Sequence, residues 1–291
     1  MKSRREFLQL SGMGLLAAGF PGFIKPNHAT RLARLSVQLY TVRDQIKLDI
    51  KGTLKRVADI GFKHVETAFW PETVSIDQAA GYLKEYGLQV SSSHIELPFG
   101  DQQQLFLDKA RAYQCKKMIW HGWPEDKRYS SLEGTRELID LYKKANRFAR
   151  DHGLEFGLHN HWWEYRNKIN GKLVYEVLAQ ELDPDIFFEV DTYWVKVAGQ
   201  DPAAVVAKLG DRVKMMHIKD GPAVFNEKLF ADNPDPMTAV GKGTQNFPAI
   251  IKAAENHPQW LVVEMDKTAT DVFEALQQSF DYMIQNKLAA I

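Results

Sequence analysis

Cysteine is almost absent from this chain. The 291 residues contain one, Cys115 in "RAYQCKKMIW", so no internal disulfide framework exists and a packed core must hold the fold. An excess of charge of either sign is also missing, since 37 basic residues balance 37 acidic ones. That balance leaves no basic footprint for nucleic acid and no charged tail. No apolar run reaches the roughly 18 residues that a membrane-spanning helix needs. No glycine-rich phosphate cradle follows the first apolar segment, "SVQLYTVRD", and no proline- or glycine-rich linker divides the chain. What is present is a hydrophobic fraction of 45%, enough for one substantial core.

The first residues stand apart. "MKSRREFLQLSGMGLLAAGFPGF" begins basic and continues as a short apolar stretch with small residues, the pattern of an export signal. The unit Ser3-Arg4-Arg5-Glu6-Phe7-Leu8 resembles a twin-arginine signal, and the stretch has no cysteine near its end to carry a lipid anchor. Residues 1–30 are therefore expected to be a signal and residues 31–291 a single catalytic domain. The mature protein is expected in the periplasm or secreted, beginning near His28 to Arg34.

From Arg34 onward one rhythm repeats. Apolar, β-branched runs read as strands at about 34–40, 62–66, 88–94, 116–120, 154–159, 186–191, 213–217 and 260–264. Amphipathic patterns between and after them read as helices at about 50–60, 75–86, 102–114, 132–151, 172–182, 202–209, 247–256 and 269–285. Gly61, Gly87, Gly153 and Gly210 follow helical patterns as stops. Eight strand–helix units in this length fit an α/β fold, the (β/α)8 TIM barrel. A long irregular stretch, "DGPAVFNEKLFADNPDPMTAVGKGTQNFP", follows the seventh strand and is expected over the barrel mouth.

Catalytic groups in such a barrel gather at the C-terminal ends of the strands. Those ends carry Gln38 and Tyr40, His64 and Glu66, His94 and Glu96, His121, His159 and His161, Glu189 and Asp191, His217 and Lys219, and Glu264 and Asp266. Six of the nine histidines fall in this set. His159, Asp191, His217 and Glu264 come from four successive strands, and two imidazoles with two carboxylates form a donor set for one divalent ion such as Mn, Zn or Co. Alternation along the strand puts His159 and His161 on one side and Asn160 on the other. Trp120, Trp123, Trp162, Trp163 and Trp194 lie near strand ends, where an aromatic face can take the C–H face of a sugar or simply pack. Glu66 suits either sugar hydroxyls or a pairing with Arg43. Lys219 suits a substrate oxygen or a counter-charge to Asp220 and Glu264.

Several pieces in order resemble the xylose isomerase-like barrels, a group that includes sugar-phosphate isomerases and epimerases, inosose dehydratases and endonuclease IV. They are "SVQLYTVRD", "GFKHVETAF", "FFEVDTYW", "MMHIKDG", "GKGTQNFPAI" and "WLVVEMD". The resemblance covers the chain from Arg34 onward. It implies Asp191, His217 and Glu264 as metal ligands, with Glu264 also serving as acid/base. Two departures bear on function. His159, in an "H-N-H" variant, occupies the place of a fifth-strand glutamate that moves a proton in ketose 3-epimerases. Trp194 replaces a histidine of the endonuclease zinc set, which together with the neutral charge argues against DNA repair.

The resemblance implies a metal-dependent enzyme acting on a neutral sugar or keto-sugar, by α-proton abstraction through a metal-stabilised enediolate. Glu264 serves one face of the substrate. His161, Lys219, Glu164 or His94 serves the other. A lyase, dehydratase or hydratase on a 3-keto-glycoside or inosose-like substrate makes a lighter demand, needing one base and one acid. A metal-assisted hydrolase and a non-catalytic sugar-binding barrel are further alternatives. The expected partner is a small carbohydrate, with no nucleic acid and no membrane anchor, and a homodimer remains an option.

Overall fold

Several helix boundaries follow from local chemistry. The side chain of Asp49 accepts the amide of Gly52 at the start of Ile50–Ile60, and Ser131 accepts that of Gly134 at the start of Leu132–Asp151. Ser75 and Gln78 form a reciprocal capping box ahead of Ile76–Glu85. Gly61, Gly87, Gly153 and Gly210 all have positive φ, between 57° and 122°, so these four stops need glycine's conformational freedom.

The computed structural model describes residues 32–226, 234–255 and 257–291. The export signal expected over residues 1–30 lies outside the described residues, as does part of the long stretch after the seventh strand. No helix among the described residues is long and apolar enough to cross a membrane.

Eight parallel strands close into a barrel: Arg34–Gln38, His64–Thr67, Gln89–Ile95, Lys117–Trp120, Glu155–His159, Phe187–Asp191, Val213–Ile218 and Trp260–Val263. Chain order is spatial order, and the eighth strand returns to the first through the register Arg34↔Trp260 to Val37↔Val263. The outer helices pack apolar stripes on the strands. Leu138, Tyr142, Ala145 and Ala149 of Leu132–Asp151 are buried at helical spacing. Inside the barrel, Ile119, Phe187, Met215, Trp260 and Val262 form a separate apolar plug. Cys115 is buried and its thiol, pushed up to about 12 by burial, meets only the Lys117 carbonyl at 3.4 Å. Its role is packing.

The structure adds elements that periodicity did not signal. The first strand ends at Gln38 rather than continuing to residue 40, because the Gln38 side chain accepts the Tyr40 amide and starts the 3-10 turn Leu39–Val42. Short helices Arg43–Leu48 and Thr192–Val197 and a small hairpin, Lys168–Ile169 with Lys172–Leu173, fill stretches read as loop or helix start.

Candidate metal centre and cavity

Asp191 closes the sixth strand and opens the helix Thr192–Val197. Its Oδ1 accepts the amides of Tyr193 and Trp194 at 3.0 and 3.1 Å, so the carboxylate is oriented by backbone and its Oδ2 is left over. Asn160 fixes the neighbouring strand end. Its Oδ1 accepts the Asp191 amide at 2.9 Å, and its amide donates to the carbonyls of His161 and Asp191. The residue expected to point away from the site thus ties the fifth strand to the sixth.

Asp191, His217 and Glu264 bring one ligand atom each to a common point. His217 Nδ1 lies 2.6 Å from Glu264 Oε2 and 4.0 Å from Asp191 Oδ2. All three atoms are buried, and none meets a hydrogen-bond partner along a bonding direction, although the distances are those of ion pairs. They converge on a space that Lys219 Nζ also borders. His159 straddles two groups, with Nε2 3.9 Å from Asp191 Oδ2 and Nδ1 3.3 Å from Glu189 Oε2. It converges with His94, Glu189 and His217 in a second cluster one layer deeper.

Lys219 is the third element. Its ammonium is fully buried and lies 2.9 Å from Asp191 Oδ2, 2.7 Å from Glu264 Oε2 and 2.8 Å from Asp266 Oδ2. Burial alone would lower its pKa, but the three carboxylates hold it well above the usual lysine range. Burial would likewise raise Glu264, yet Lys219 and His217 overcome it and keep this carboxyl well below the usual range. Burial raises Asp191, and it raises Asp266 to about 6 against the pull of Lys219.

The four central imidazoles separate into two kinds. His159 and His161 are held well below the ordinary value, chiefly by burial and then by neighbouring cations, so both are neutral. For His94, burial is outweighed by Glu66 and Glu189, which raise it to about 9. His217 is raised further by Glu189, Glu264 and Glu66.

A cavity of about 100 Å3 opens above these groups, lined by Tyr40, Ala68, Phe69, His94, His121, Trp123, His159, His161, Glu264 and Asp266. No lysine or arginine lines it among the described residues. Of the five tryptophans near strand ends, Trp123 alone reaches the cavity. Trp163 stacks under His161 with centroids 4.5 Å apart, Trp194 is fully buried, Trp162 packs on Phe225, and Trp120 packs on His121. Phe69, half exposed beside His121, is the aromatic wall that the sequence did not single out.

Two assignments change. Glu66 does not pair with Arg43; it is buried against Gln38, Ser92, His94 and His217, while Arg43 donates to the carbonyls of Tyr40 and Asp266. His64 begins its strand instead of ending it, so it lies one layer below Glu66, against the Trp260 ring at 4.7 Å, outside the site. The deeper cluster of Glu66, His94 and Glu189 was visible only as a list of polar strand ends. Period-two alternation puts 189 and 191 on one face, and that was the signal available for Glu189.

Comparison with known proteins follows the same lines. A family model described as xylose isomerase-like TIM barrel matches residues 54–285. An inosose dehydratase from Clostridium beijerinckii is 24% identical over 174 residues, and the match covers 55% of this chain and 55% of that protein. The chain thus spans about half the length of that relative. The crystal structure of a sugar phosphate isomerase/epimerase from Parabacteroides distasonis superposes with a TM-score of 0.72 at 20% identity, over 93% of this chain and 100% of the other. The IOLI protein, solved with a bound zinc atom, superposes with a TM-score of 0.64 at 12% identity, over 89% of this chain and 100% of its own. At these identities the structural likenesses establish the fold.

Proposed function

The chain belongs to the xylose isomerase-like TIM barrel family, and from that premise we propose that it is a divalent-metal-dependent isomerase or epimerase acting on a neutral keto-sugar by removing the proton next to a carbonyl. One observation carries the reading: Asp191 Oδ2, His217 Nδ1 and Glu264 Oε2 are buried and converge on one point. A divalent ion in the space they share would take one donor atom from each. The mixed nitrogen and oxygen set, completed by His159 Nε2, suits Zn, Mn or Co. Zinc in the IOLI protein agrees with the reading.

Such an ion supplies Lewis acidity toward adjacent carbonyl and hydroxyl oxygens. The chain's own groups do the rest. Lys219 and His217 keep Glu264 ionised, and His161 is neutral, so both are unprotonated at neutral pH and both line the cavity. Either can accept the α-proton, one from each side of the substrate carbon. Lys219 balances the carboxylates that would otherwise repel one another. Since no lysine or arginine lines the described cavity wall, a phosphate group finds no ammonium or guanidinium there and an uncharged sugar is the better fit.

A second reading, dehydration of an inosose-like or 3-keto-glycoside substrate, is favoured by His94. This imidazole lines the same cavity and is protonated up to about pH 9, so the site holds an acid beside its bases. The dehydratase relative points the same way. We further propose that residues 1–30 export the protein, so that the reaction takes place in the periplasm; a reporter fused to this segment and retained in the cytoplasm would overturn that.

The deciding experiment is metal analysis of the purified protein followed by incubation with neutral keto-sugars in heavy water. One bound ion and deuterium at the α-carbon are expected. A changed stereocentre identifies epimerisation, and loss of water identifies dehydration. Metal-loaded protein that binds a keto-sugar without exchanging its α-proton would sink both readings.

A further inference from the structure

The deeper cluster has a different geometry from the group above it. Glu66 projects from the second strand into the barrel and is fully buried. Gln38 Nε2 donates to its Oε1 at 2.6 Å, and Ser92 Oγ donates to its Oε2 at 2.5 Å. His217 Nε2 reaches Oε1 at 2.7 Å in a directed hydrogen bond, and His94 Nε2 lies 3.1 Å from the same oxygen. Two neutral donors already point at this carboxylate, so Glu66 acts as an acceptor throughout. The hydrogen between Glu66 and His217 therefore resides on Nε2.

We infer that Glu66 is a positioning residue that fixes His217 in the Nε2–H tautomer, leaving the Nδ1 lone pair for the ion, and that the centre holds one ion and not two. The inference rests on the metal-centre reading above. A neutral imidazole carries one N–H, and the nitrogen without it is the ligand. Nδ1 is the buried atom of His217 that has no hydrogen-bond partner, and it faces Glu264 Oε2 and Asp191 Oδ2. Without an ion, a proton on Nδ1 makes the 2.6 Å contact with Glu264; an ion takes that proton's place, and the hydrogen on Nε2 stays with Glu66.

His159 repeats the arrangement more loosely. Its Nδ1 is 3.3 Å from Glu189 Oε2, and its Nε2 turns toward Asp191. Glu189 in turn accepts from His94 Nε2 at 2.8 Å. Glu66 and Glu189 thus form a carboxylate floor beneath the metal-facing imidazoles. This is also why the deeper cluster is not a second metal site, although its four side chains lie close enough for one. An ion there together with one above would require His217 to bind through both nitrogens at once, as an imidazolate. The 2.7 Å contact with the Glu66 carboxylate, an acceptor, instead calls for a proton on that nitrogen.

Carboxylates behind metal-bound histidines raise ligand basicity, and losing one typically weakens metal binding by about 10–100-fold. The test uses the full-length mature protein and zinc. Wild type should bind one Zn2+ per chain. With 15N-labelled imidazoles, the loaded protein should show His217 protonated on Nε2 and a metal-shifted Nδ1. Glu66→Gln keeps the shape but replaces an ionised acceptor with an amide; it should weaken zinc affinity by at least about 10-fold, while thermal unfolding of the metal-free protein reports any structural damage separately. Unchanged affinity in this variant, His217 bound through Nε2, or two zinc ions per chain would each overturn the inference while leaving the metal-centre reading in place. Wild type that binds no zinc, manganese or cobalt would overturn both. Should Glu66→Gln fail to fold, the wild-type imidazole spectrum and zinc stoichiometry decide the matter alone.

Discussion

The lower and upper interior of the barrel are built from the same strands and do opposite things. Four strands make the change in a single step of two residues: Ile119 to His121, Phe187 to Glu189, Met215 to His217, and Val262 to Glu264. Two residues are one pleat repeat, which keeps a side chain on the same face and moves it about 6–7 Å along the barrel. Below the step lies a buried apolar plug. Above it buried carboxylates are joined by ion pairs through Lys219, His94 and His217, beside the neutral His159 and His161. The plug fixes strand positions through packing density, and the upper ring then spends that rigidity on groups that could not sit together unsupported. Stability and chemistry should therefore separate by mutation even where the residues are two apart on one strand.

The largest effects should appear in the upper ring. Glu264→Gln is expected to lower turnover by about 10²–10⁴-fold, the range for losing a general base or acid, measured on metal-loaded protein. His217→Ala should weaken metal binding by about 100-fold or more, beyond what loss of a supporting partner costs, with chelator competition as the readout. Near-normal turnover in Glu264→Gln, or metal retained at full affinity in His217→Ala, would break the assignment of these residues to the chemical end.

A smaller effect of a different kind is expected below the step. Phe187→Ala removes a fully buried ring from the plug, with Phe187 at 2% exposure, and should cost about 3–5 kcal/mol of stability in denaturant unfolding. Metal affinity of the folded variant should stay within a few-fold of wild type. Loss of metal affinity comparable to that of His217→Ala would show that the two ends are not separable.

The repeated strand–helix rhythm made the architecture legible, because hydrophobic periodicity and glycine stops are local signals and the barrel is their regular repetition. The helices Ile50–Ile60, Leu132–Asp151 and Pro202–Leu209 run as their patterns suggest. The helix Thr192–Val197 was not legible, since its start depends on Asp191 accepting two amides and its residues look like an apolar strand exit. At the site, alternation and strand order named the chemically active positions but not their neighbours. Nothing local in the sequence says that Glu66 faces His217, 151 positions away. His64 was misplaced because a shift in the strand start moves a residue by a layer without changing its face. Phe69 lies beyond a strand end, where side-chain direction is set by the loop rather than by the pleat.

Glu164 sharpens the comparison most finely, because it is as buried as Glu264 and is shifted the other way. Glu264 has Lys219 and His217 against it; no ion pair among the described residues reaches Glu164. It lies with Tyr129, Tyr142, Tyr165, Tyr175 and Asn160 around a cavity of about 20 Å3, and accepts the His161 amide at 3.0 Å. Burial raises its carboxyl to about 8, and the backbone hydrogen bonds offset this only in part. The native state therefore holds a proton that the unfolded chain, with an ordinary carboxyl near 4.5, releases. Stability from this group is fully present below that value and falls as pH rises toward about 8, since over this interval the native state binds more protons than the unfolded one. Glu164→Gln keeps an acceptor for the His161 amide and has no proton to lose. It should match wild type near pH 4.5 and become the more stable protein as pH approaches 8, with the gap constant above that. Parallel stability–pH curves for the two proteins would show that Glu164 is ionised in the native state. The contrast between a carboxylate held by cations and one held by burial would then fail.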